Sequence, residues 1–174
     1  MSRRYSTVEP LSADHDPSEF DCGSAPQTNW LRKHALQAQQ SGTSRVYVVC
    51  RAGTRRVVGY HALAAGSVDP EEAPGRVQRG TGRHPIPVTI LTRLGVDVTE
   101  QGRGLGTGLV KDALLRVVLA SDEIGMRALL IHAESEAARA FYLRLAEFEP
   151  APTDPLHLFL LMKDVKATIA ADKG

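Results

Sequence analysis

Four glycines alternate with other residues in the segment 101–110, QGRGLGTGLV, which directly precedes a stretch of helical periodicity. Because glycine has no Cβ, successive backbone N–H groups can turn toward one point. A helix that follows adds its unpaired N-terminal donors and the positive end of its dipole to that point. These features favour an anion-binding loop, for which phosphate is the natural ligand. A flexible turn ahead of a helix is the alternative, but it accounts less well for four alternating glycines.

Two widespread phosphate-binding motifs do not fit this segment. The Walker pattern GxxxxGK[ST] requires a Gly-Lys pair, and the sequence contains none. The dinucleotide pattern GxGxxG also fails. If it starts at Gly102 its last glycine falls on Thr107, and if it starts at Gly104 its last glycine falls on Leu109. The loop is therefore expected to bind a phosphate-containing ligand of a class other than ATP or NAD.

The elements on either side of the loop place it where an anion site needs it. The apolar run 86–96, IPVTILTRLGV, predicts a strand, with Pro87 near its start, where a missing N–H donor is tolerated. After the loop, apolar residues recur at helical spacing from Leu105 and run out near Ser121. The glycines therefore join the end of a strand to the beginning of a helix.

The rest of the chain predicts one compact domain over residues 1–163 and a polar C-terminal tail over 164–174. The predicted elements are a helix over 26–40, a hairpin of strands 45–50 and 57–63, a long connection over 66–85, a strand over 127–132, a helix over 134–145 and a strand over 156–162. A connection as long as the one over 66–85 is expected to be functional or mobile.

Composition narrows the class of function. The 174 residues carry a net charge of only +1, so a contact with nucleic acid must come from a local cluster of basic residues. Cys22 and Cys50 lie far apart and form no CxxC pair, so neither a zinc site nor a disulfide framework is expected. The sequence has no window of eighteen uncharged apolar residues and no secretory leader pattern, so we expect a cytoplasmic protein without membrane contact.

Two motifs together resemble the Gcn5-related N-acetyltransferases. Residues 101–106 match the family pattern Q/R-x-x-G-x-G/A, and residues 137–142, AARAFY, resemble its A-x-x-F-Y element on the next predicted helix. The resemblance extends over about residues 5–163. It implies an α/β (α+β) fold with a mixed, mostly antiparallel sheet, splayed between its fourth and fifth strands, and helices on both faces. It also implies acetyl-coenzyme A as co-substrate and no metal.

The resemblance assigns the coenzyme contacts to three places. The backbone of Leu94, Gly95 and Val96 would pair with the pantetheine arm as an added strand does. The loop that would bind the pyrophosphate consists of Gln101, Gly102, Arg103, Gly104, Leu105, Gly106 and Thr107. Ser135 stands where many family members carry asparagine, so its coenzyme contact departs from the family pattern.

The resemblance assigns the catalytic acid to Tyr142, which would donate a proton to the departing thiolate. From spacing alone, the alternative for Tyr142 is a core aromatic residue beside Phe141. A backbone N–H near Val96 would stabilise the oxyanion. We assign no base, because an α-amino group with a reference pKa of roughly 8 is already partly neutral at cellular pH.

A narrower resemblance involves the acetyltransferase toxins of bacterial toxin–antitoxin pairs. It rests on the order of several short segments, which are FDCG at 20–23, WLR at 30–32, VGYHAL at 58–63, PIPV at 85–88 and FEP at 148–150. Such toxins acetylate the amino group of aminoacyl-tRNA to block translation, and a ribbon-helix-helix antitoxin neutralises them. We therefore expect aminoacyl-tRNA and a ribbon-helix-helix antitoxin as partners, and we expect the protein to be a homodimer.

Charged tRNA would need a basic patch. The expected contacts are Arg93 on the strand before the loop, Arg83 in the long connection, and Arg32 and Lys33 on the first helix. For any one of these residues, the alternative is a solvated surface charge. Two other functions remain open, namely a metabolic or protein N-acetyltransferase acting on a small amine or an N-terminus, and an inactive acyl-coenzyme A-binding interaction module.

Four further residues near the motifs are not expected to be catalytic. His61 and His132 lie in apolar strands and are expected to be core histidines. Asp97 is expected to cap a helix, and Glu100 is expected to face solvent. The segment 145–148, LAEF, is one residue longer than the Gly-Phe turn that is usual in the family, which leaves the local turn open.

Overall fold

The structure is a computed structural model that describes residues 3–172. Within this range the chain divides into two compact units, of which the first comprises residues 3–64 and 92–113 and the second residues 65–91 and 114–172. Two strands and one long helix begin in one unit and end in the other, so the division does not fall at a linker. The single domain over 1–163 stays a prediction.

Seven strands and six α-helices are found in residues 3–172. The strands are β1 (Glu9–Pro10), β2 (Arg45–Cys50), β3 (Val57–Val68), β4 (Ile86–Val96), β5 (Ala128–His132), β6 (Glu149–Pro150) and β7 (His157–Leu161). The helices are α1 (Ala25–Lys33), α2 (Ala35–Ser41), α3 (Gly75–Gln78), α4 (Leu105–Ser121), α5 (Glu136–Leu145) and α6 (Met162–Asp172). Short 3₁₀ turns span Pro70–Glu72 and Val98–Glu100.

The strands form one mixed sheet in the order β1-β2-β3-β4-β5-β7-β6. The pairs β1–β2, β2–β3, β5–β7 and β6–β7 are antiparallel. The pair β4–β5 is parallel, in register from Val88 with Ala128 to Leu91 with Ile131. This mixed, mostly antiparallel sheet with accompanying helices confirms the predicted fold class, and the parallel pair is the one at which the family resemblance places the splay.

In the first unit, helices pack on both faces of β2 and β3. Leu31 and Ala35 of the first two helices share a buried cluster with Val46 and Tyr60 on one face. On the other face, Leu109 of α4 packs against Val58. Side chains alternate along a strand, but Val58 and Tyr60 are two positions apart and still lie on opposite faces. A register shift between Val49 and Cys50, which skips Val58, accounts for this change of face and lets β3 contact both helical layers.

In the second unit, the long connection is ordered by contacts with its own core. Val77 of α3 is buried in a cluster with Ile86, Leu130 and Phe159. The guanidinium group of Arg127 donates to the backbone carbonyls of residues 76, 77 and 79, which fastens the short α3. The connection predicted over 66–85 therefore contains the end of β3, a 3₁₀ turn and a helical turn.

Two helical segments differ from the sequence-based expectation. The helix predicted over 26–40 is interrupted at His34, whose φ of −125° is not helical, so α1 and α2 are separate. The segment expected to be a polar tail is helical to Asp172, because Met162 and Val165 at its start are buried and anchor α6. The tail prediction also includes residues 173 and 174, which lie outside the described residues.

Candidate functional site

The glycine loop has the backbone conformation that only glycine adopts readily. Gly102 and Gly104 have φ angles of 81° and 84°, in the left-handed region. A Cβ at either position would meet no atom within 4 Å, so the requirement for glycine comes from the backbone and not from packing. The N–H of Gly108 donates to the carbonyl of Gly104 over 3.0 Å, which begins the hydrogen bonding of α4. The loop therefore leads directly into a helix N-terminus, as predicted.

Gln101, the first residue of the motif, holds the loop through two backbone carbonyls. Its Nε2 donates to the carbonyl of Val96 over 2.9 Å and to that of Cys22 over 3.0 Å. A side-chain amide has two N–H donors, which suits this arrangement. The structure thus gives Gln101 a role in fixing the loop against the end of β4, and its predicted coenzyme contact stays a prediction.

Gly95 lies where β4 passes closest to buried aromatic side chains of the first unit. A Cβ at this position would come within 3.1 Å of Tyr60 Cε1, 3.2 Å of Cys22 Sγ and 3.3 Å of Phe20 Cζ. A side chain at this point would therefore require these three neighbours to move by a few tenths of an ångström. The flanking Leu94 and Val96 are half-buried. The three residues proposed to pair with pantetheine are thus held by the core.

Glu100 is fully buried, so the expectation that it faces solvent is wrong. Its carboxylate accepts a hydrogen bond from the Tyr5 hydroxyl at 3.0 Å. Three arginines also surround it, with Arg51 at 3.1 Å and Arg4 and Arg103 at 3.4 Å. A buried carboxylate needs such partners to offset its lost hydration. Because Arg103 belongs to the glycine loop, this network ties the loop to the N-terminal segment and to the end of β2.

Glu100→Gln is expected to lower the melting temperature by several degrees at neutral pH, because glutamine cannot balance three arginines. Burial alone would raise the pKa of Glu100, but the Tyr5 hydroxyl and the arginines lower it below its ordinary value of 4.5. The stabilisation is therefore complete above that value and is lost as the pH falls through the lower pKa of the folded state. Thermal melts of both proteins between about pH 3 and 7 should show a difference that shrinks in acid. A difference independent of pH would contradict this account.

Asp97 caps the turn that precedes the loop, as predicted. Its carboxylate accepts hydrogen bonds from the backbone N–H groups of Thr99 and Asp21, each at 3.0 Å. Burial would raise the pKa of Asp97, but these bonds and the Thr99 hydroxyl lower it, so the group is ionised at neutral pH. The cap helps to define where β4 ends.

Tyr142 lies on α5 in the second unit and is 6% exposed. Its ring packs edge-on against Phe141 and Phe148, with centroids 5.3 and 6.3 Å away. Burial, with a smaller contribution from Glu134, raises the pKa of Tyr142 above its usual range, so the phenol stays protonated. Among residues 3–172 its hydroxyl has no hydrogen-bond partner. The hydroxyl is thus a proton donor that no side chain in this range engages.

Ser135 is the N-cap of α5, since its hydroxyl accepts a hydrogen bond from the N–H of Ala138 over 3.1 Å. This role is sufficient to explain a serine at the position. Its coenzyme contact stays a prediction. In the segment 145–148, Phe148 is buried against Tyr142, so the turn that the sequence left open places an aromatic ring in the core.

The four basic residues predicted to contact tRNA differ in their surroundings. Arg93 donates to Gln27 Oε1 over 3.3 Å and stands over the ring of Trp30, so it lies beside α1. Arg32 and Lys33 are exposed in the last turn of that helix. Arg83 is exposed and belongs to the second unit. Within residues 3–172, none of the four forms an ion pair with a carboxylate.

The two histidines that were expected in the core, His61 and His132, differ in burial. His61 is fully buried and lies 2.8 Å from Asp112, which confirms a core histidine. His132 is exposed, so that expectation is wrong, because it is the last residue of β5 and stacks on His157 with ring centroids 4.1 Å apart. Neither observation assigns a base.

The described part of the chain has neither a metal-binding cluster nor a membrane-spanning helix. Residues 3–172 contain no group of three or more histidine, cysteine or acidic side chains that could hold a metal ion. None of the helices in this range is long and apolar enough to cross a membrane.

No protein-family model matches the chain. Among characterised proteins, it is 51% identical over 165 residues to the tRNA-acetylating toxin of Mycobacterium tuberculosis (strain ATCC 25618 / H37Rv), which covers 95% of this chain and 97% of that protein. This identity extends over nearly the whole of both proteins, so it is not confined to one motif.

Solved structures of two toxins match the fold. A tyrosine-to-phenylalanine mutant of KacT superposes with a TM-score of 0.88 at 27% identity, covering 95% of this chain and 99% of that one. AtaT complexed with acetyl-methionyl-tRNAfMet gives 0.84 at 31% identity, covering 92% and 97%. A tyrosine-to-phenylalanine mutant of AtaT, bound to acetyl-coenzyme A and the C-terminus of the antitoxin AtaR, gives 0.79 at 30% identity, covering 94% and 97%.

Proposed function

Because the chain belongs to the family of tRNA-acetylating toxins, we propose that it transfers the acetyl group of acetyl-coenzyme A to the α-amino group of an aminoacyl-tRNA. The observation that carries this proposal is the 51% identity to such a toxin over 95% of the chain. The complex of AtaT with acetyl-methionyl-tRNAfMet and its complex with acetyl-coenzyme A support both substrates.

In the proposed reaction, the residues of the first unit hold the coenzyme. The N-terminus of α4 and the loop before it would bind the pyrophosphate, since unpaired N–H groups and the helix dipole favour an anion there. The backbone of residues 94–96 would pair with pantetheine, and an N–H near Val96 would stabilise the oxyanion. Gln101 and Glu100 would act through the loop by holding its backbone and Arg103 in place.

The chemical step needs a neutral amine and a proton for the leaving thiolate. The amine nitrogen forms a bond to the thioester carbon, the C–S bond breaks, and the thiolate takes the proton of Tyr142. The amide nitrogen then loses one proton, which restores the phenol, so the net products are an N-acetyl group and a thiol. A tyrosine pKa above that of a thiol makes the transfer uphill on its own. Tyr142 would therefore donate a hydrogen bond to sulfur as the C–S bond breaks, and complete the proton transfer as the amide nitrogen loses its own proton.

A small antitoxin is the proposed protein partner, on the evidence of the AtaT complex with AtaR. We propose further that this antitoxin is of the ribbon-helix-helix class, that the toxin is a homodimer and that it acts in the cytoplasm, where charged tRNA is found. The fold of a co-purifying product of an adjacent small open reading frame tests the antitoxin class, and light scattering of the purified toxin tests the homodimer. A monomeric toxin would overturn the dimer.

Translation in a cell-free system tests the proposed function. The wild-type protein should stop translation only when acetyl-coenzyme A is present, because the acetyl group is the reagent that removes charged tRNA. The control is the same protein without acetyl-coenzyme A. Inhibition that does not depend on acetyl-coenzyme A would contradict the proposal, since it would require another activity.

Arg93→Glu and Arg83→Glu are each expected to raise the apparent KM for charged tRNA roughly fivefold to tenfold, because each removes an interaction with a phosphate. The plot of the logarithm of the tRNA binding constant against the logarithm of salt concentration should become less steep, by about one unit for each phosphate that is no longer neutralised. The KM for acetyl-coenzyme A should not change. Lys163→Glu, an exposed reversal of equal charge on α6, serves as the control. If both arginine variants behave like this control, the two arginines are solvated surface charges.

A further inference from the structure

The single tryptophan of the chain, Trp30, rests on a rigid aromatic base in the first unit. The Tyr60 ring lies nearly parallel to the indole, with an interplanar angle of 14° and centroids 6.1 Å apart. Tyr60 is fully buried and contacts Phe20 edge-on. Trp30 itself is only partly buried. The indole is therefore a supported plane at the edge of the core and not a core residue.

Arg93 completes this arrangement from β4. Its guanidinium carbon lies 5.4 Å from the centroid of the Trp30 ring, within the range of a cation–π contact. Gln27 binds both Arg93 and Tyr60. Its Oε1 accepts a hydrogen bond from Arg93 at 3.3 Å, and its backbone carbonyl accepts one from the Tyr60 hydroxyl at 2.7 Å. The position of Arg93 is thus fixed by neutral groups.

The charge of Arg93 has no carboxylate partner in the part of the chain that the structure describes. Across the described range 3–172, no ion pair involves this residue. The arginines around Glu100 provide the contrast, because Arg51 and Arg103 both pair with that carboxylate. Arg32 and Lys33, also without ion pairs there, are exposed at the end of the same helix that carries Trp30. Trp30 therefore combines an aromatic plane with neighbouring uncompensated positive charge.

This combination suits unpaired nucleotides. Proteins recognise single-stranded RNA by stacking bases on aromatic rings and guanidinium planes, while basic side chains contact the phosphates. We propose that the guanidinium of Arg93, supported by the Trp30 indole, forms a stacking platform for the unpaired bases at the 3′ end of tRNA, to which the amino acid is attached. The platform rests on the proposed function, and it adds to the phosphate contacts of the arginines a stacking surface that depends on Trp30.

Because Trp30 is the only tryptophan, its intrinsic fluorescence reports on the platform in the unmodified protein. Uncharged tRNA with its complete 3′ end should quench this fluorescence in a saturable manner. The same tRNA trimmed of its last four nucleotides should still bind, as measured by anisotropy of a label on the tRNA, but should not quench. Equal quenching by both tRNAs, or none by either, would overturn the proposal. Strong quenching by acetyl-coenzyme A alone would also overturn it, because the adenine of the coenzyme would then be the base that binds at the platform.

Two variants test the platform kinetically. Trp30→Leu should raise the apparent KM for charged tRNA roughly tenfold, as expected for the loss of one stacked base, with unchanged affinity for acetyl-coenzyme A. Trp30→Phe keeps an aromatic plane and should stay within about threefold of wild type. Equal KM values in all three folded proteins would overturn the platform.

The outcomes separate the platform from the proposed function. A wild-type protein that does not acetylate charged tRNA contradicts the function itself. A wild-type protein that is active, with a Trp30→Leu variant of unchanged KM, contradicts only the platform. If Trp30→Leu fails to fold, as judged by its circular dichroism, the fluorescence comparison of the two tRNAs on wild-type protein still decides.

Discussion

Tyr142→Phe is expected to lower kcat for acetyl transfer by roughly 10² to 10⁴-fold while the affinity for acetyl-coenzyme A stays unchanged. The substitution removes one oxygen atom, and the ring can keep its contacts with Phe141 and Phe148. Because the hydroxyl has no hydrogen-bond partner in residues 3–172, its loss leaves no buried group unpaired in that range. The fold should therefore be retained. Single-turnover kinetics and calorimetry with the coenzyme measure the two quantities separately.

Tyr47→Phe is the matched control, because it removes a tyrosine hydroxyl from β2 in the first unit. It should keep kcat close to that of wild type. An interaction made only in the transition state lowers kcat and kcat/KM equally, which is the pattern we expect for Tyr142→Phe alone. Wild-type turnover in that variant would show that the acid has been assigned to the wrong residue.

Gly104→Asp is expected to weaken acetyl-coenzyme A binding by roughly a hundredfold. An L-residue at the φ of 84° found here costs about 1–2 kcal/mol. The added carboxylate also brings negative charge to the place where a phosphate is proposed to bind, which adds repulsion of similar size. Isothermal titration calorimetry with acetyl-coenzyme A measures the loss directly.

Gly53→Asp controls for the backbone cost. Gly53 has a φ of 75° and open space around its Cβ position, as Gly104 does, but it lies in the loop between β2 and β3. Its substitution should reduce stability by a similar amount and leave coenzyme affinity intact. If both variants bind acetyl-coenzyme A equally well, the loop is not the phosphate site.

The sequence was most informative where local chemistry determines structure. Residue type permits the left-handed backbone of Gly102 and Gly104, whereas Gly106 and Gly108 lie in α4, and the helix itself follows from apolar periodicity. β4 was predicted with the observed bounds, because eleven mostly apolar residues end at a charged cap. These segments contain the motif, so the position of the loop could be read without the structure.

The sequence could not predict contacts between distant residues. Glu100 is buried because Tyr5 and Arg51 reach it, and these partners lie 95 and 49 positions away. Trp30 and Arg93 are likewise brought together only by the packing of α1 against β3 and β4. A charged residue followed by a polar loop is typical of an exposed position, and only the fold reveals that its partners make burial possible.

Residues 162–172 and His132 are two further places where the structure differs from the sequence-based expectation. In the segment 162–172, charged residues are interspersed with apolar ones, and two of the apolar residues, Met162 and Val165, are buried at helical spacing and anchor the segment. His132 follows four buried residues but is itself exposed, because a strand ends where its last side chain leaves the core. The interspersed charges of the segment predicted a tail, and the apolar run that precedes His132 predicted a core histidine.

The contrast between two groups of arginines bears on substrate choice. Arg51 and Arg103 pair with the buried carboxylate of Glu100, so their charges stabilise the loop. Arg93 stands beside an aromatic ring with no carboxylate partner in the described residues, so its charge is available to a ligand. Counting basic residues along the sequence does not distinguish these roles.

The most direct measurement follows radiolabelled acetyl groups from acetyl-coenzyme A into tRNA. The purified protein is incubated with total aminoacyl-tRNA, and a parallel sample contains the same tRNA after removal of its amino acids. We expect label in the charged sample only, and mild alkali should release this label as N-acetylated amino acid. Label on the deacylated tRNA, or transfer to small amines with none to charged tRNA, would contradict acetylation of the α-amino group of aminoacyl-tRNA.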